Sequence, residues 1–252
     1  MTAILQGRTR RAALVGAMCA LVVTGTGLTG CGSEDPDAGT NGVGKLPAST
    51  IQSKSRTAAT SAEAVRLAGT VVSNGRTYKL DMRLKADGGT GSVTSQGAGF
   101  KLLRVGEHLF LKAGAEFWSH QGDKSDGTSA DTAAADKLGG KYVKVPTGDP
   151  AYKRFISFTD KDVLLEGLLT LHGTLATDGH HEQSGVRTIR ITGDKGAGGT
   201  LDVSLKGTPY PVLLVRAGGA GTLRLTDWGK GFALAEPAKD ETVDYGRQLP
   251  TS

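Results

Sequence analysis

Tyr78-Lys79-Leu80-Asp81-Met82-Arg83-Leu84-Lys85 alternates apolar and charged residues without a break. A period of two puts Tyr78, Leu80, Met82 and Leu84 on one face of a strand and the four charged residues on the other. One face is buried and the other wet, which is the pattern of an antiparallel sheet packed on one side. The same alternation returns late in the chain. Leu201, Val203 and Leu205 alternate with Asp202, Ser204 and Lys206, and Leu223 and Leu225 with Thr222, Arg224 and Thr226.

Upstream of the first strand, Ser73-Asn74-Gly75 is a hairpin signal, and 65–72 reads as its partner strand. Before that, Ile51, Ala58, Ala62 and Val65 recur at helical spacing, so a helix is expected from Ala48 to about Ala64, with Ser49 as its cap. Downstream, strands are expected at Gly91–Ser95, Ala98–Val105 and His108–Lys112. Phe100, Leu102, Leu103, Leu109, Phe110 and Leu111 make that last pair apolar on both faces, so something must cover the second face. A polar loop at 121–128 leads to a short helix from Ser129 to Leu138. Phe155 to Phe158 introduces a helix at about Asp160–Leu171, whose Val163, Leu164, Leu165, Leu168, Leu169 and Leu171 form a wide apolar stripe. Five more strands follow, at Gly173–Thr177, Val186–Gly193, Leu201–Lys206, Tyr210–Ala217 and Thr222–Asp227, with Asp178-Gly179 read as a turn. Pro209 and Pro211 place the strand near Tyr210 at a sheet edge. The sum is an α+β domain of about ten antiparallel strands, strongly curved, with about three helices grouped on one face.

The first residues belong to a different regime. Arg8, Arg10 and Arg11 precede an apolar run from Ala12 to about Val23, too short for a stable span, which together read as a secretory signal. Leu28-Thr29-Gly30-Cys31 resembles a bacterial lipobox, in which the cysteine is acylated and becomes the new N-terminus. The expected organisation is a lipoprotein signal peptide at 1–30, a lipidated Cys31 with a flexible polar tether to residue 47, a folded domain at 48–236, and a C-terminal tail at 237–252. A diacylglyceryl group on Cys31 would supply two chains, enough for stable anchoring on the outer, extracytoplasmic face of the cell membrane. No later stretch spans a bilayer: Val163–Leu175 is short and interrupted by Glu166 and His172.

Composition bounds the chemistry. The sequence holds 30 Lys+Arg and 25 Asp+Glu; three of those arginines leave with the signal, so the mature charge is +2 rather than +5. Charges of both signs are interleaved, and no basic footprint for nucleic acid is present. Cys19 leaves and Cys31 is acylated, so the mature domain has no disulfide, no thiolate metal site and no cysteine nucleophile. The 38 glycines and 13 aromatic residues suit many short strands with tight turns.

Asp178-Gly179-His180-His181-Glu182 resembles a metal cluster, but neighbouring strand residues point to opposite faces, so a solvated hairpin is expected. Asp123, Asp126, Ser129 and Asp131 lack the spacing and terminal glutamate of an EF-hand. The glycine-rich 193–199 is followed by neither Gly-Lys-Ser/Thr nor a helix, and no Gly-x-Ser-x-Gly elbow exists. The residues therefore point to a protein that is not an enzyme and needs neither metal nor cofactor.

Taken in order, the motifs resemble one family. Val65-Arg66-Leu67-Ala68-Gly69-Thr70-Val71, the strand at 78–84, Leu102-Leu103-Arg104-Val105-Gly106 and His108-Leu109-Phe110-Leu111-Lys112 come first. Phe117-Trp118, Lys141-Tyr142-Val143-Lys144-Val145-Pro146, Pro209-Tyr210-Pro211-Val212 and Gly221-Thr222-Leu223-Arg224-Leu225-Thr226-Asp227-Trp228 complete the set. With the lipobox, this pattern resembles the LppX–LprAFG lipoproteins of actinobacteria and their streptomycete-type relatives, whose sheet is related to the LolA and LolB carriers. The resemblance implies an antiparallel half-barrel with helices on its concave side and an apolar cavity for lipid or glycolipid acyl chains. Tyr78, Leu80, Met82, Leu84, Trp118, Leu164, Leu165, Leu168, Leu169, Leu201, Val203 and Leu205 are the expected lining. The family carries no catalytic residues. Two readings stand: a lipoprotein that binds or transfers a lipophilic ligand, or an envelope scaffold of the same fold with a filled core that meets a protein partner through loops near 121–136. A hydrolase would need a polar site that the sequence does not display.

Overall fold

The computed structural model describes residues 35–73, 75–119 and 136–244. The leader, Cys31 and the loop at 120–135, with the EF-hand-like acids and most of the helix expected at Ser129–Leu138, lie outside the described residues.

The described chain forms one twelve-stranded sheet. Its first half is a meander of β1 (Ala64–Ser73), β2 (Arg76–Lys85), β3 (Gly88–Ser95), β4 (Ala98–Val105), β5 (His108–Ala113) and β6 (Tyr142–Val145). Its second half is a meander of β7 (Leu175–Gln183), β8 (Val186–Gly193), β9 (Thr200–Ser204), β10 (Pro211–Val215) and β11 (Gly221–Thr226). The halves join where β11 pairs antiparallel with β1. At that seam Gly69 has φ +150° and Gly221 φ +118°. A Cβ at either would stand 2.1 Å from a backbone carbonyl of the facing strand, so only glycine allows the two meanders to meet this closely.

Among the described residues, four helices of five or more residues accompany the sheet: α1 (Ala48–Ser61), α2 (Ala115–Ser119), α3 (Pro150–Thr159) and α4 (Lys161–Leu168). α1 lies on β7, β8 and β10 and against α4, while α3 covers β3 and β4. The architecture is an open, curled, antiparallel half-barrel with its helices on the concave face, as the sequence led us to expect.

Several details differ. The strands number twelve rather than ten. α3 was not expected as a helix, although Asp149 and Pro150 announce it: the Asp149 carboxylate accepts the Ala151 N–H, and Pro150 opens the first turn. α4 ends at Leu168 rather than Leu171. Ser49 does not cap α1; Pro47 occupies the cap position without a side-chain bond. Asp178-Gly179 is not a turn but an irregularity inside β7, and the hairpin turns at Ser184-Gly185 instead. β10 is not an edge: it lies between β9 and β11, and Pro211 is tolerated because it opens the strand at a register shift.

Neither end of the domain is loose. Residues 35–47, expected as tether, are docked. The Asn41 N–H donates to Leu205 O (2.8 Å), its amide to Ser204 O and Gly207 O, and Val43 is buried in the core. The tail beyond 237 contributes β12 (Thr242–Asp244), which pairs in parallel with β6. Between them, the chain from Asp227 to Asp244 forms a strap along the outer face. The Gly229 N–H donates to Ala64 O, Phe232 lies under the Arg83 guanidinium (4.7 Å), Leu234 touches β3 at Gly88, and Glu236 pairs with His108. It runs past buried Leu103 and Phe110, the outward pair of β4 and β5 whose cover the sequence demanded.

Candidate functional site

The concave interior is assembled row by row from the strand register. Leu225, Leu67, Met82, Gly91, Leu102, Leu111 and Val143 are successive cross-strand partners on one face, from β11 to β6. In the other half Ile189 faces Val203, and Ile191 and Leu214 both face Leu201. α1 lays Ala48, Ile51, Ser55 and Ala59 over this surface. α4 adds Leu165, and Leu169 and Leu171 follow it.

Of the twelve expected lining residues, nine are buried in this one continuous cluster: Leu80, Met82, Leu84, Trp118, Leu165, Leu169, Leu201, Val203 and Leu205. Tyr78, Leu164 and Leu168 are half-buried and packed against it. Ile189, Ile191, Leu102, Leu111 and Leu225 belong to the same surface, although the expected lining did not include them. The alternation Thr188-Ile189-Arg190-Ile191 was the signal for two of them.

The interior is not chemically uniform. Towards β4 it is aromatic: Phe100 meets Phe117 at 5.3 Å and Phe155 at 5.4 Å, and Phe117 meets Trp118 edge-on at 5.2 Å. Among the described residues, three buried polar atoms, Ser55 Oγ, Trp118 Nε1 and Thr188 Oγ1, have no hydrogen-bond partner. Ser55 belongs to the inward stripe of α1, and Trp118 to the apolar cluster. A buried donor or acceptor left unpaired costs about 1–3 kcal/mol.

Two buried cations fix the helices over the interior. Lys161 is 3% exposed; its ammonium donates to Thr60 O in the last turn of α1 and to Asp162, both at 2.6 Å. Arg104 is 7% exposed; its guanidinium donates to Thr159 O at the end of α3 and to Gly106 O. Cations at helix C-termini are favourable because the last carbonyls lack partners there. They tie the α3–α4 junction to α1 and to the β4–β5 turn.

The outer face is polar and paired. Arg66 grips Asp81 with two hydrogen bonds (2.8 and 2.6 Å), and Arg190 grips Asp202 likewise (2.8 and 2.9 Å). The Arg66 guanidinium holds the Asp81 carboxyl below its ordinary value, and the Asp202 carboxylate raises the Arg190 guanidinium. A cleft of about 420 Å³ opens beside β5 and β6, lined by Glu107, His108, Lys144, Val145, Pro146, Thr147, Gly148 and Asp244. Its lining is mixed, apolar at Val145 and Pro146 and charged at Glu107, Lys144 and Asp244, and none of the expected lining residues contributes to it.

His180 and His181 diverge as strand geometry demands. His180 Nε2 meets the Asp37 carboxylate at 3.0 Å, and His181 Nε2 meets Asp178 O at 2.9 Å. Among the described residues no group of three or more potential ligands could hold a metal ion. None of the described helices is long and apolar enough to cross a membrane.

No protein-family model matches the chain, and no curated protein matches it. Solved structures do. The fold is similar to that of LprF from Mycobacterium bovis, with a TM-score of 0.52, 15% identity, and 76% of this chain and 99% of that one covered. LppX from Mycobacterium tuberculosis aligns with a TM-score of 0.43 and 16% identity over 74% of this chain and 99% of that one. The likeness to LprF places the fold with the LppX–LprAFG type, as the sequence motifs implied.

Proposed function

We propose that this protein is an extracytoplasmic lipoprotein, anchored by a diacylglyceryl group on Cys31, that binds or transfers a lipophilic ligand between the sheet and its helices. The observation that carries this reading is the pair of unpartnered polar atoms, Ser55 Oγ and Trp118 Nε1, in an otherwise apolar interior. An acyl chain with an ester or carboxyl head matches that surface: methylenes against leucines, and a polar end for a hydroxyl or an indole N–H. The fold supports the same reading, because the helices over an open curled sheet can part from it to admit a ligand.

The ligand would displace side chains rather than fill a void. Leu164, Leu168 and Tyr78, half-buried at the margin of the cluster, are where separation of α4 from the sheet would begin. The second reading, a scaffold with a permanently filled core, is favoured by the burial of nine of the twelve lining residues.

Native mass spectrometry of Gly32–Ser252, purified without its anchor, separates the two. A stoichiometric adduct that organic extraction identifies as a phospholipid or glycolipid is expected. A clean protein mass, with no uptake of added fatty-acid or glycolipid probes, gives the scaffold reading. Leu165→Trp with Leu168→Trp fills the presumed space, so loss of uptake in a folded double variant is expected. Uptake that survives refutes this placement.

A further inference from the structure

The docking of residues 35–47 shortens the tether and says which end of the domain it leaves from. If Cys31 is acylated, as the proposed function holds, only three residues and four Cα–Cα steps separate it from Asp35. Fully extended, they reach about 14 Å. Asp35 is held by Lys45 (2.6 Å), and the Arg187 guanidinium grips Pro36 O. Asn41 is bonded to Ser204, Leu205 and Gly207. The chain therefore enters at the rim where β9 ends and β10 begins. In the antiparallel register this rim also carries the turns at 86–87 and 106–107, and the opposite rim the end of β1, the start of β2 and the turn at 96–97. The ten residues of β2 separate the two rims by about 33 Å.

This anchored rim has a composition of its own. Tyr210 and Trp228 stack face to face, 4.8 Å apart and 3° from parallel, and both are half-exposed. The Trp228 indole donates to Pro211 O, fixing the pair where β10 begins. Lys206 and Arg187 are exposed beside it. Lys161 and Arg104 tie the α3–α4 junction to the end of α1 and to Gly106, which brings the start of α4 to the same rim. There Val163 is 57% exposed, the most exposed large apolar side chain among the described residues. Aromatic rings with one polar end, basic side chains and an exposed aliphatic are the residue types that favour the boundary between headgroups and acyl chains.

We infer that the rim bearing Val163, Lys206, Tyr210 and Trp228 faces and rests on the headgroup layer of the bilayer that holds the anchor. The domain then stands end-on, with the opposite rim about 33 Å away.

The mature chain has no cysteine besides Cys31, so a single added cysteine can be labelled once Cys31 is acylated. Thr208→Cys and Arg76→Cys place a fluorophore on the anchored and the opposite rim, both at exposed positions. The acylated variants are incorporated in phosphatidylcholine–phosphatidylglycerol vesicles containing a headgroup-linked quencher, and intact mass reports acylation. With the acyl mass present, several-fold stronger quenching at 208 than at 76 is expected. Equal quenching means the domain lies on its side, and stronger quenching at 76 means it is inverted; either overturns the inference and leaves the anchored lipoprotein standing. Absence of the acyl mass from Cys31 overturns the anchored reading and this inference with it.

Discussion

The two halves of the sheet bury their concave faces differently. Under α1, the half from β8 to β11 is aliphatic and sealed: Ile51, Ile191, Leu201, Val203 and Leu223 have no exposed surface. The half from β2 to β5 buries Leu84 and Leu109 as completely, but it is partly aromatic, and at its margin Tyr78, Phe100, Phe117, Tyr152 and Phe158 are only partly buried. Interiors packed like crystals resist change, whereas a half-exposed margin can move at modest cost. One half is thus built to hold the sheet together, and the other to admit something. A ligand that enters this molecule should enter by the aromatic side.

The sharpest way to break that contrast is to truncate each half and compare. Leu201→Ala leaves a cavity in the sealed half and is expected to cost about 2–5 kcal/mol in a denaturant titration. Phe117→Leu at the open margin should cost less than about 1.5 kcal/mol. Equal losses would mean that both halves are packed alike.

The outer-face ion pairs give a second test. Asp202 is 1% exposed, so Asp202→Asn leaves the Arg190 guanidinium without its carboxylate, and about 1.5–3 kcal/mol of stability should be lost. Asp81 and Arg66 are each 43% exposed, and Asp81→Asn is expected to change stability by less than about 1 kcal/mol. Reversed magnitudes would place the tighter half of the sheet at β1–β2.

Asp149→Ala removes the cap of α3 on the aromatic side, where loss of about 1 kcal/mol is expected by thermal unfolding. If the cap instead proved worth nothing, α3 would be held by its packing alone.

The smallest effect is acid sensitivity. Asp35, Asp81 and Asp227 all titrate below their ordinary value because Lys45, Arg66 and Lys230 hydrogen-bond the charged form. A depressed folded pKa adds stability above the unfolded value of 3.8, and that stability is lost as pH falls through the folded one. Stability should therefore decline gradually below pH ~4, and Asp81→Asn should flatten that decline. An unchanged slope would show that the pair is already broken in solution.

The strands with strict alternation, β2, β9 and β11, were legible because one face of each is dry and the other wet. α3 was not, because only Ala151, Phe155 and Thr159 mark its buried side, and Asp149-Pro150 was the better signal. β7 hid its length behind the irregularity at Asp178-Gly179. The docked stretch at 35–47 escaped notice for a different reason. It is held largely by hydrogen bonds, from Asn41 to Ser204, Leu205 and Gly207, between His180 and Asp37, and from Arg187 to Pro36 O, rather than by a run of apolar side chains, and hydropathy does not register such a clip. For the interior, alternation named most of the right residues. Which atoms would be left unpaired there depended on three elements meeting, and no single stretch of sequence displays that.

The strap ends in β12, the last of the described strands and the cover of β6. A chain stopped before Thr242 would leave β6 with a row of unpaired amides and carbonyls. Such a row is a template for a second copy, so a prematurely terminated chain would be prone to edge-to-edge self-association. By pairing with β6, the short β12 thus guards solubility at this side of the sheet.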